Sequence, residues 1–171
     1  MDGLGLKYMK EAAKRVVDTL TFSDRVAIVS FATRAEVFAR EGKYVYQATK
    51  ANKAILTEAI DKFEAIGATN FLDAFEKTFE ILDNSIRQEL TVTCGGGVQG
   101  NTAILFLTDG EVTEPDEWPK EKRQDETEKL VMEGLANLEA RTGRPPFLFT
   151  YSVSENAMVH EFPKRLACSA T

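Results

Sequence analysis

The amino-acid sequence predicts an α/β domain in which a doubly wound, mostly parallel β-sheet is flanked by helices. Two patterns indicate this fold class. Segments with apolar residues at helical spacing alternate along the chain with short, nearly continuous apolar runs, and such runs are typical of strands buried on both faces of a parallel sheet. The 171 residues contain no internal repeat and no linker-like stretch, so we expect a single domain over residues 1–171.

Three helices and two strands are predicted in the first half of the chain. Residues 6–20 carry an apolar stripe backed by charged side chains, which is typical of an amphipathic helix. Residues 26–31 are almost all apolar and predict a strand buried on both faces, whereas the mixed pattern of residues 35–40 favours a more exposed edge strand. Two further apolar stripes predict helices at residues 55–63 and 72–82.

The second half of the chain continues the alternation. Residues 94–100 are rich in glycine and residues 114–122 are charged and contain two prolines, so both stretches are predicted to be loops. Between and after these loops we expect strands at residues 103–107 and 147–153, and helices at residues 125–140 and 162–166.

Composition and charge exclude several classes of partner. The net charge of -6 argues against nucleic acid or an anionic membrane as the main partner. No apolar run is long enough to span a bilayer, and the chain does not start with a basic and then apolar signal segment, so we expect no membrane insertion. Cys94 and Cys168 lie far apart without a clustered pattern, which excludes a zinc ribbon and leaves their redox state open.

Two oxygen-bearing residues are candidate metal ligands. In doubly wound sheets, ligands bind outside the carboxyl ends of the strands. Asp109 follows the apolar strand predicted at residues 103–107, and Thr69 lies in a loop that leads into a helix. A carboxylate and a hydroxyl are donors that Mg²⁺ and other hard divalent cations use. The same residues also suit structural roles, Asp109 as a turn residue before glycine and Thr69 as a helix cap.

Asn70, Glu111 and Trp118 are candidate contacts for a protein partner. Each has a structural alternative, since Asn70 stands at a helix start, Glu111 suits a solvated loop, and Trp118 can pack back onto the domain. Enzymatic chemistry has little support, because the only histidine, His160, lacks a nucleophile motif beside it. The glycine-rich stretch before residue 103 has Asn101 where a phosphate loop needs lysine, and it precedes a strand rather than following one.

Several segments of the sequence resemble the von Willebrand factor type A domain. The segment Gly67-Ala68-Thr69-Asn70, followed by Leu72-Asp73-Ala74, resembles the second metal-site loop of that family. Residues 103–111 resemble its central strand and third loop, with Asp109 as the loop's aspartate, and residues 20–31 match a helix end followed by a valine-rich strand. The resemblance covers almost the whole chain and is nearest to the type A domain of calcium-channel alpha-two-delta subunits.

The resemblance implies an interaction or adhesion module, not an enzyme, located outside the cell or on its surface. Its metal-ion-dependent adhesion site would hold Mg²⁺ or another divalent cation, and an acidic side chain of a protein ligand would complete the metal shell. The family's first loop, D-x-S-x-S, is not found, and Met1-Asp2-Gly3-Leu4 stands where that loop would end. We therefore expect a domain incomplete at both ends, with weak or absent metal binding. A metal-dependent doubly wound enzyme and a metal-free structural scaffold are the alternatives.

The missing first strand has a second implied consequence. In the family that strand lies in the middle of the sheet, so the strand predicted at residues 26–31 would expose backbone hydrogen-bonding groups along one edge. An exposed strand edge favours pairing with another chain. We therefore also expect self-association through this edge.

Overall fold

A computed structural model describes residues 3–64, 67–92, 100–154 and 157–170, with five helices and six strands in these ranges. A single 3-10 turn at Ala157–His160 precedes the last helix. The helices are α1 (Gly3–Thr19), α2 (Lys50–Asp61), α3 (Phe71–Val92), α4 (Lys120–Thr142) and α5 (Glu161–Ser169). The strands are β1 (Arg25–Val26), β2 (Val29–Phe31), β3 (Ala35–Val37), β4 (Tyr46–Gln47), β5 (Ala103–Thr108) and β6 (Phe147–Ser152). Met1, Asp2 and Cys94 lie outside the described residues.

The predicted helices are confirmed, and local signals explain where two of them begin and end. The N–H of Asn52 donates a hydrogen bond of 3.2 Å to the hydroxyl of Thr49, which caps the start of α2. Later in the chain, α4 ends before Gly143, whose positive φ of 70° is the left-handed conformation that glycine adopts at low cost. The N–H of Gly143 also returns to the carbonyl of Glu139 at 2.8 Å.

The prediction of one continuous strand at residues 26–31 is wrong. The segment is split into β1 and β2, and each half pairs antiparallel with a different strand, β1 with β4 and β2 with β3. Its residues are partly exposed rather than buried on both faces. A tight turn joins β2 to β3, in which the N–H of Ala32 donates to the carbonyl of Arg34 at 3.0 Å. An apolar run indicates that a segment packs against the core, but it does not show how many neighbouring strands the segment has.

The parallel pairing expected of the fold is present between β5 and β6. Their register runs from Ala103 opposite Phe147 to Thr108 opposite Ser152, and α4 forms the connection between the two strands. The described residues contain three separate two-stranded sheets, of which this pair is the parallel one. Parallel strands need such a long crossover, because the chain must return to the same end of the sheet before it pairs.

Two apolar clusters form the core. The larger lies among α3, α4, α5 and the β5–β6 pair, and its centre is aromatic: the Phe71 ring meets the Phe106 ring edge-on at 4.9 Å, and Phe75 stacks on Phe106 at 4.8 Å. The smaller cluster joins α1 and α2 through Val17 and Leu56. Helices α3 and α4 pack closely enough that a methyl group added at Gly134 would overlap the Phe79 ring.

The two faces of the β5–β6 pair differ. Ile104, Phe106 and Leu148 point into the larger cluster and are buried. Residues on the opposite face of β6 are about half exposed, with Phe147 at 49% and Tyr151 at 54%. The sequence predicts helices on both faces of the sheet, but in the described residues this face of β6 is open to solvent. None of the described helices combines the length and apolar character that a bilayer-spanning helix needs.

Candidate functional site at the end of β5

The loop that precedes α3 is tied to the loop that follows β5. The N–H of Thr69 donates a 2.7 Å hydrogen bond to the hydroxyl of Thr113. In return, the carbonyl of Thr69 accepts hydrogen bonds from the N–H groups of Thr113 at 2.9 Å and of Glu114 at 3.2 Å. These three bonds join residues 44 or 45 positions apart in the sequence. The backbone at Thr69 is therefore held in one place relative to the end of β5.

Asp109 stands directly after β5, at the carboxyl end of the strand, as the sequence predicts. Thr108, which is only 1% exposed, accepts a 3.3 Å hydrogen bond from the N–H of Gly110, and this bond turns the chain at Asp109. A Cβ atom at Gly110 would lie 3.4 Å from the hydroxyl oxygen of Thr69. The structure thus brings the Thr69 hydroxyl beside the Asp109–Gly110 turn. We call Thr69, Asp109 and Gly110 the crest.

Gly67 permits the backbone turn that leads to Thr69 of the crest. Gly67 has a φ of 87°, and a Cβ atom there would lie 2.5 Å from the hydroxyl oxygen of Thr33. That hydroxyl is already occupied, since it accepts a hydrogen bond of 3.1 Å from the N–H of Ala68. A side chain at residue 67 would therefore meet both an unfavourable backbone conformation and a steric overlap.

Asn70 forms the cap of α3. Its side-chain oxygen accepts a 3.0 Å hydrogen bond from the N–H of Asp73, and its amide nitrogen donates to the carbonyl of Thr33 at 3.3 Å. The carboxylate of Asp73 in turn accepts a 2.6 Å bond from the N–H of Ala35, which joins the first turn of α3 to β3. Both polar ends of the Asn70 side chain are thus used within the domain. Its role as a partner contact stays a prediction.

Glu111 and Trp118 both lie near lysines of the next helix. The carboxylate of Glu111 is 3.0 Å from the ammonium of Lys120, and the ammonium of Lys122 lies 4.1 Å from the centre of the Trp118 ring. Both lysines belong to the first turn of α4. An ammonium over an indole face is an attractive cation–π contact. Glu111 and Trp118 remain partly exposed in this arrangement, and their role in partner binding stays a prediction.

Thr113 is the residue of this site that sequence reasoning missed. Its hydroxyl and its N–H both bond to Thr69, and the preceding residue, Val112, is 2% exposed and packs into the larger core cluster. Together they fix the loop after Asp109. Nothing local in the sequence marks a threonine in a charged loop as the partner of a backbone group 44 positions away.

Thr69 and Asp109 would supply two of the oxygen donors that a magnesium site uses. Mg²⁺ in proteins takes about six oxygen ligands in near-octahedral geometry and gives up its waters reluctantly. The crest offers one hydroxyl and one carboxylate, from Thr69 and Asp109. In the described part of the chain, no three His, Cys, Asp or Glu side chains converge so that they could hold a metal ion. A cation at the crest would keep most of its water shell, so these two residues alone give it little stabilisation.

Comparison with known families identifies a match over most of the chain. Residues 2–111 match the family model described as von Willebrand factor type A domain. This range includes the crest and ends at Glu111. Members of this family are commonly interaction modules that bind proteins.

Relatives and a solved structure agree with that match. Over 125 residues the chain is 31% identical to the voltage-dependent calcium channel subunit alpha-2/delta-2 of Homo sapiens and to that of Mus musculus. The match covers 70% of this chain but only 10% of the length of each of these subunits. A solved structure of the von Willebrand factor type A protein from Catenulispora acidiphila has a TM-score of 0.61 at 18% identity, over 96% of this chain and 38% of that one. The predicted α/β fold class is confirmed by this shared fold.

Proposed function

Because this chain belongs to the von Willebrand factor type A domain family, we propose that it is a protein-binding module whose metal-ion-dependent adhesion site is degenerate, and that it is not an enzyme. The observation that carries this proposal is the hydrogen-bonded link between Thr69 and Thr113, which presents the Thr69 hydroxyl beside Asp109. A surface held in place by the fold loses little conformational entropy when a partner binds. The family's members are generally interaction modules.

The proposed binding surface is the crest together with Glu111 and Trp118. Trp118 offers the large, partly exposed aromatic area that is enriched where binding energy concentrates. Thr69 and Asp109 are the residues of this chain that would face a divalent cation, and when bound such an ion would attract an acidic side chain of the partner. Since these two residues supply a small part of the donors that the ion needs, we propose that direct side-chain contacts dominate binding by this chain.

His160 makes one hydrogen-bond contact with the backbone of the domain. A ring nitrogen of His160 lies 2.9 Å from the carbonyl oxygen of Ser154, a contact that holds the imidazole against the backbone after β6. General-base catalysis needs a histidine within hydrogen-bond reach of a nucleophile. The metal-free scaffold remains the second candidate function, and the internal hydrogen bonds of Asn70 favour it.

We expect isothermal titration calorimetry to detect only weak binding of Mg²⁺ or Mn²⁺ to this chain, with a dissociation constant of roughly a millimolar or weaker. The physical reason is the small donor set, one hydroxyl and one carboxylate. Asp109→Ala should abolish the residual heat. Glu121→Ala is a suitable control, because Glu121 is an exposed carboxylate of α4 and its loss should leave the titration unchanged.

A dissociation constant in the low micromolar range that requires both Asp109 and Thr69 would contradict the degenerate site. It would mean that the crest is completed by donors beyond these two residues. If Asp109→Ala leaves the weak binding unchanged, the cation does not bind at the crest. The metal-free scaffold would then be the better account.

Capture of surface-labelled proteins tests the binding surface. We propose an extracellular or cell-surface location, in line with the resemblance to calcium-channel subunits, so the probe is the set of proteins biotinylated on intact cells. Proteins retained by the immobilised chain should be lost with Trp118→Ala and kept with Tyr44→Ala, which removes a 51% exposed aromatic elsewhere. Retention should persist in EDTA. Equal retention by the Trp118 and Tyr44 variants would overturn this surface.

A further inference from the structure

An open groove of about 840 Å³ runs along one side of α2. One wall is a stripe of α2 residues at helical spacing: Lys50, Lys53, Ala54, Thr57, Glu58 and Asp61. The other wall is the end of α1 and the turn that follows it, with Asp18, Leu20 and Phe22. We call these two walls the α2 groove. Because the stripe includes the first and last residues of α2, the groove is as long as this helix of 12 residues, about 18 Å.

Hydrogen bonds hold the turn after α1 against α2 and β4. The ammonium of Lys53 donates to the carbonyl of Asp18 at 2.9 Å and also to the carbonyl of Leu20. The side-chain amide of Gln47, in β4, donates to the carbonyl of Phe22 at 2.9 Å. The two walls are therefore joined before any partner binds, and a pre-formed site loses little conformational entropy on binding.

The groove presents apolar area to solvent. Phe22 is 68% exposed, and Leu20 and Ala54, which line the same groove, are also accessible to solvent. A single exposed apolar side chain is common on protein surfaces. Here three of them line one concave surface, where a partner can cover them together.

Two charged side chains of the groove stand at unfavourable helix ends. Lys50 is in the first turn of α2, and Asp18 is in the last turn of α1. A helix dipole is positive at its N-terminus and negative at its C-terminus, so each charge lies at the end of like sign. Within the described part of the chain, neither the Lys50 ammonium nor the Asp18 carboxylate has an ion pair or hydrogen bond that offsets this cost. Both charges are therefore free to pair with a partner.

The charge of the groove changes sign along α2. Lys50 stands at the N-terminal end. Asp18 approaches α2 one turn further on, where its carbonyl meets Lys53, and Glu58 and Asp61 follow toward the C-terminal end. The ammonium of Lys53 is bound to two carbonyls, and Glu58 and Asp61 each pair with a lysine outside the groove. The groove thus offers a free positive charge at one end and negative charge over the rest.

We propose that the α2 groove binds an amphipathic helix of a protein partner, with apolar side chains on Phe22, an acidic residue at Lys50 and a basic residue at Asp18. An amphipathic helix laid in an apolar groove is a recurrent mode of recognition. Groove charges of both signs select a partner that carries both signs, and they fix its direction. None of the groove residues belongs to the crest, so this inference does not depend on the proposed function.

Fluorescence anisotropy with synthetic peptides tests the proposal. The probe, which we call the bipolar peptide, is a labelled helical peptide of about 14 residues with leucines at helical spacing, glutamates at one end and lysines at the other. Two matched peptides keep the leucines and carry either glutamates or lysines at both ends. About 0.15 M sodium chloride screens the net charge of -6 on the chain. We expect the bipolar peptide to bind at least about fivefold more tightly than either matched peptide, because each of those meets one groove charge of like sign.

Two substitutions connect this binding to the groove. Phe22→Ala should weaken binding of the bipolar peptide at least about tenfold, whereas Tyr44→Ala, which removes a 51% exposed aromatic elsewhere, should not. Lys50→Glu should reverse the preference, so that the peptide with lysines at both ends binds most tightly. Lys129→Glu makes the same change in net charge at an exposed position of α4 and should leave the preference as it is. Glutamate suits the first turn of a helix, so Lys50→Glu should fold, which circular dichroism verifies.

Five results would overturn the inference. The first is no saturable binding of the bipolar peptide up to about 1 mM, and the second is equal binding of the three peptides. A third is an effect of Lys129→Glu as large as that of Lys50→Glu, which would mean that net charge controls binding. Loss of peptide binding with Trp118→Ala would place the peptide at the crest instead. A dimer of this chain that Phe22→Ala dissociates in sedimentation equilibrium would make a second copy the occupant of the groove.

Discussion

Phe71→Ala is expected to lower the free energy of unfolding by about 3–5 kcal/mol, the usual cost of removing a buried aromatic side chain. Phe71 is 0% exposed. Its ring meets the Phe31 ring edge-on at 5.9 Å and stacks on the Phe162 ring at 6.2 Å, and it also contacts Phe106. The ring therefore joins β2, β5 and α5, and alanine would leave a cavity that these rigid neighbours cannot fill. A domain of this size has a free energy of unfolding of about 5–15 kcal/mol, so the substitution would remove a large share of its stability.

Urea denaturation followed by circular dichroism measures this change. Phe22→Ala serves as the control, because Phe22 is 68% exposed and its truncation should change the free energy of unfolding by no more than about 0.5 kcal/mol. A similar small effect for Phe71→Ala would mean that the aromatic cluster is not the centre of the core. Phe71 is also the first residue of α3 and follows the loop of the crest, so any function of the crest should decline together with stability.

Gly134→Ala is expected to lower the free energy of unfolding by about 1–3 kcal/mol, against the usual trend for helices. In an exposed helix, glycine to alanine stabilises by roughly 1 kcal/mol, because alanine loses less conformational entropy. At Gly134 the added methyl group would overlap the edge of the Phe79 ring, at the place where α4 packs on α3. Phe79 is partly buried against the larger core cluster and has limited room to move.

A double-mutant cycle with Phe79→Ala separates the two effects. In the Phe79→Ala background the overlap is gone, and Gly134→Ala should become neutral or stabilising. Thermal or urea unfolding of the four proteins gives the coupling energy between the two positions. The double variant should be more stable than the sum of the two single effects predicts, by roughly the free energy that Gly134→Ala alone removes. If Gly134→Ala alone were as stable as the parent chain, the close approach of α3 and α4 would be contradicted.

The helices could be predicted because their apolar spacing is a local property. Phe75 and Phe79, for example, stand four positions apart and fall on one side of α3. The apolar strand before Asp109 is marked by the same kind of local signal, and it forms β5. The pairing of strands is different, because it depends on which distant segments meet. Residues 26–31 therefore looked like one buried strand, although they divide between two antiparallel strand pairs, β1–β4 and β2–β3.

The candidate site could be predicted in part for a similar reason. Thr69 and Asp109 stand at a helix start and a strand end, positions that the local pattern identifies, and the structure places the Thr69 hydroxyl beside Gly110, the residue after Asp109. The ion pair of Glu111 with Lys120 and the two-way hydrogen bonding of Thr113 to Thr69 depend on the path of the loop after β5. That path is set by the burial of Val112, which a sequence pattern in a charged loop does not reveal.

The bonds between Thr69 and Thr113 also bear on how the domain can move. They fasten the start of α3 to the segment that leads into α4, while Gly134 keeps the bodies of the same two helices in close contact. A helix pair joined at two separated points cannot pivot about either one alone. We therefore expect α3 and α4 to shift together as one rigid body, so that a force applied at the crest is carried along both helices to the far end of the domain.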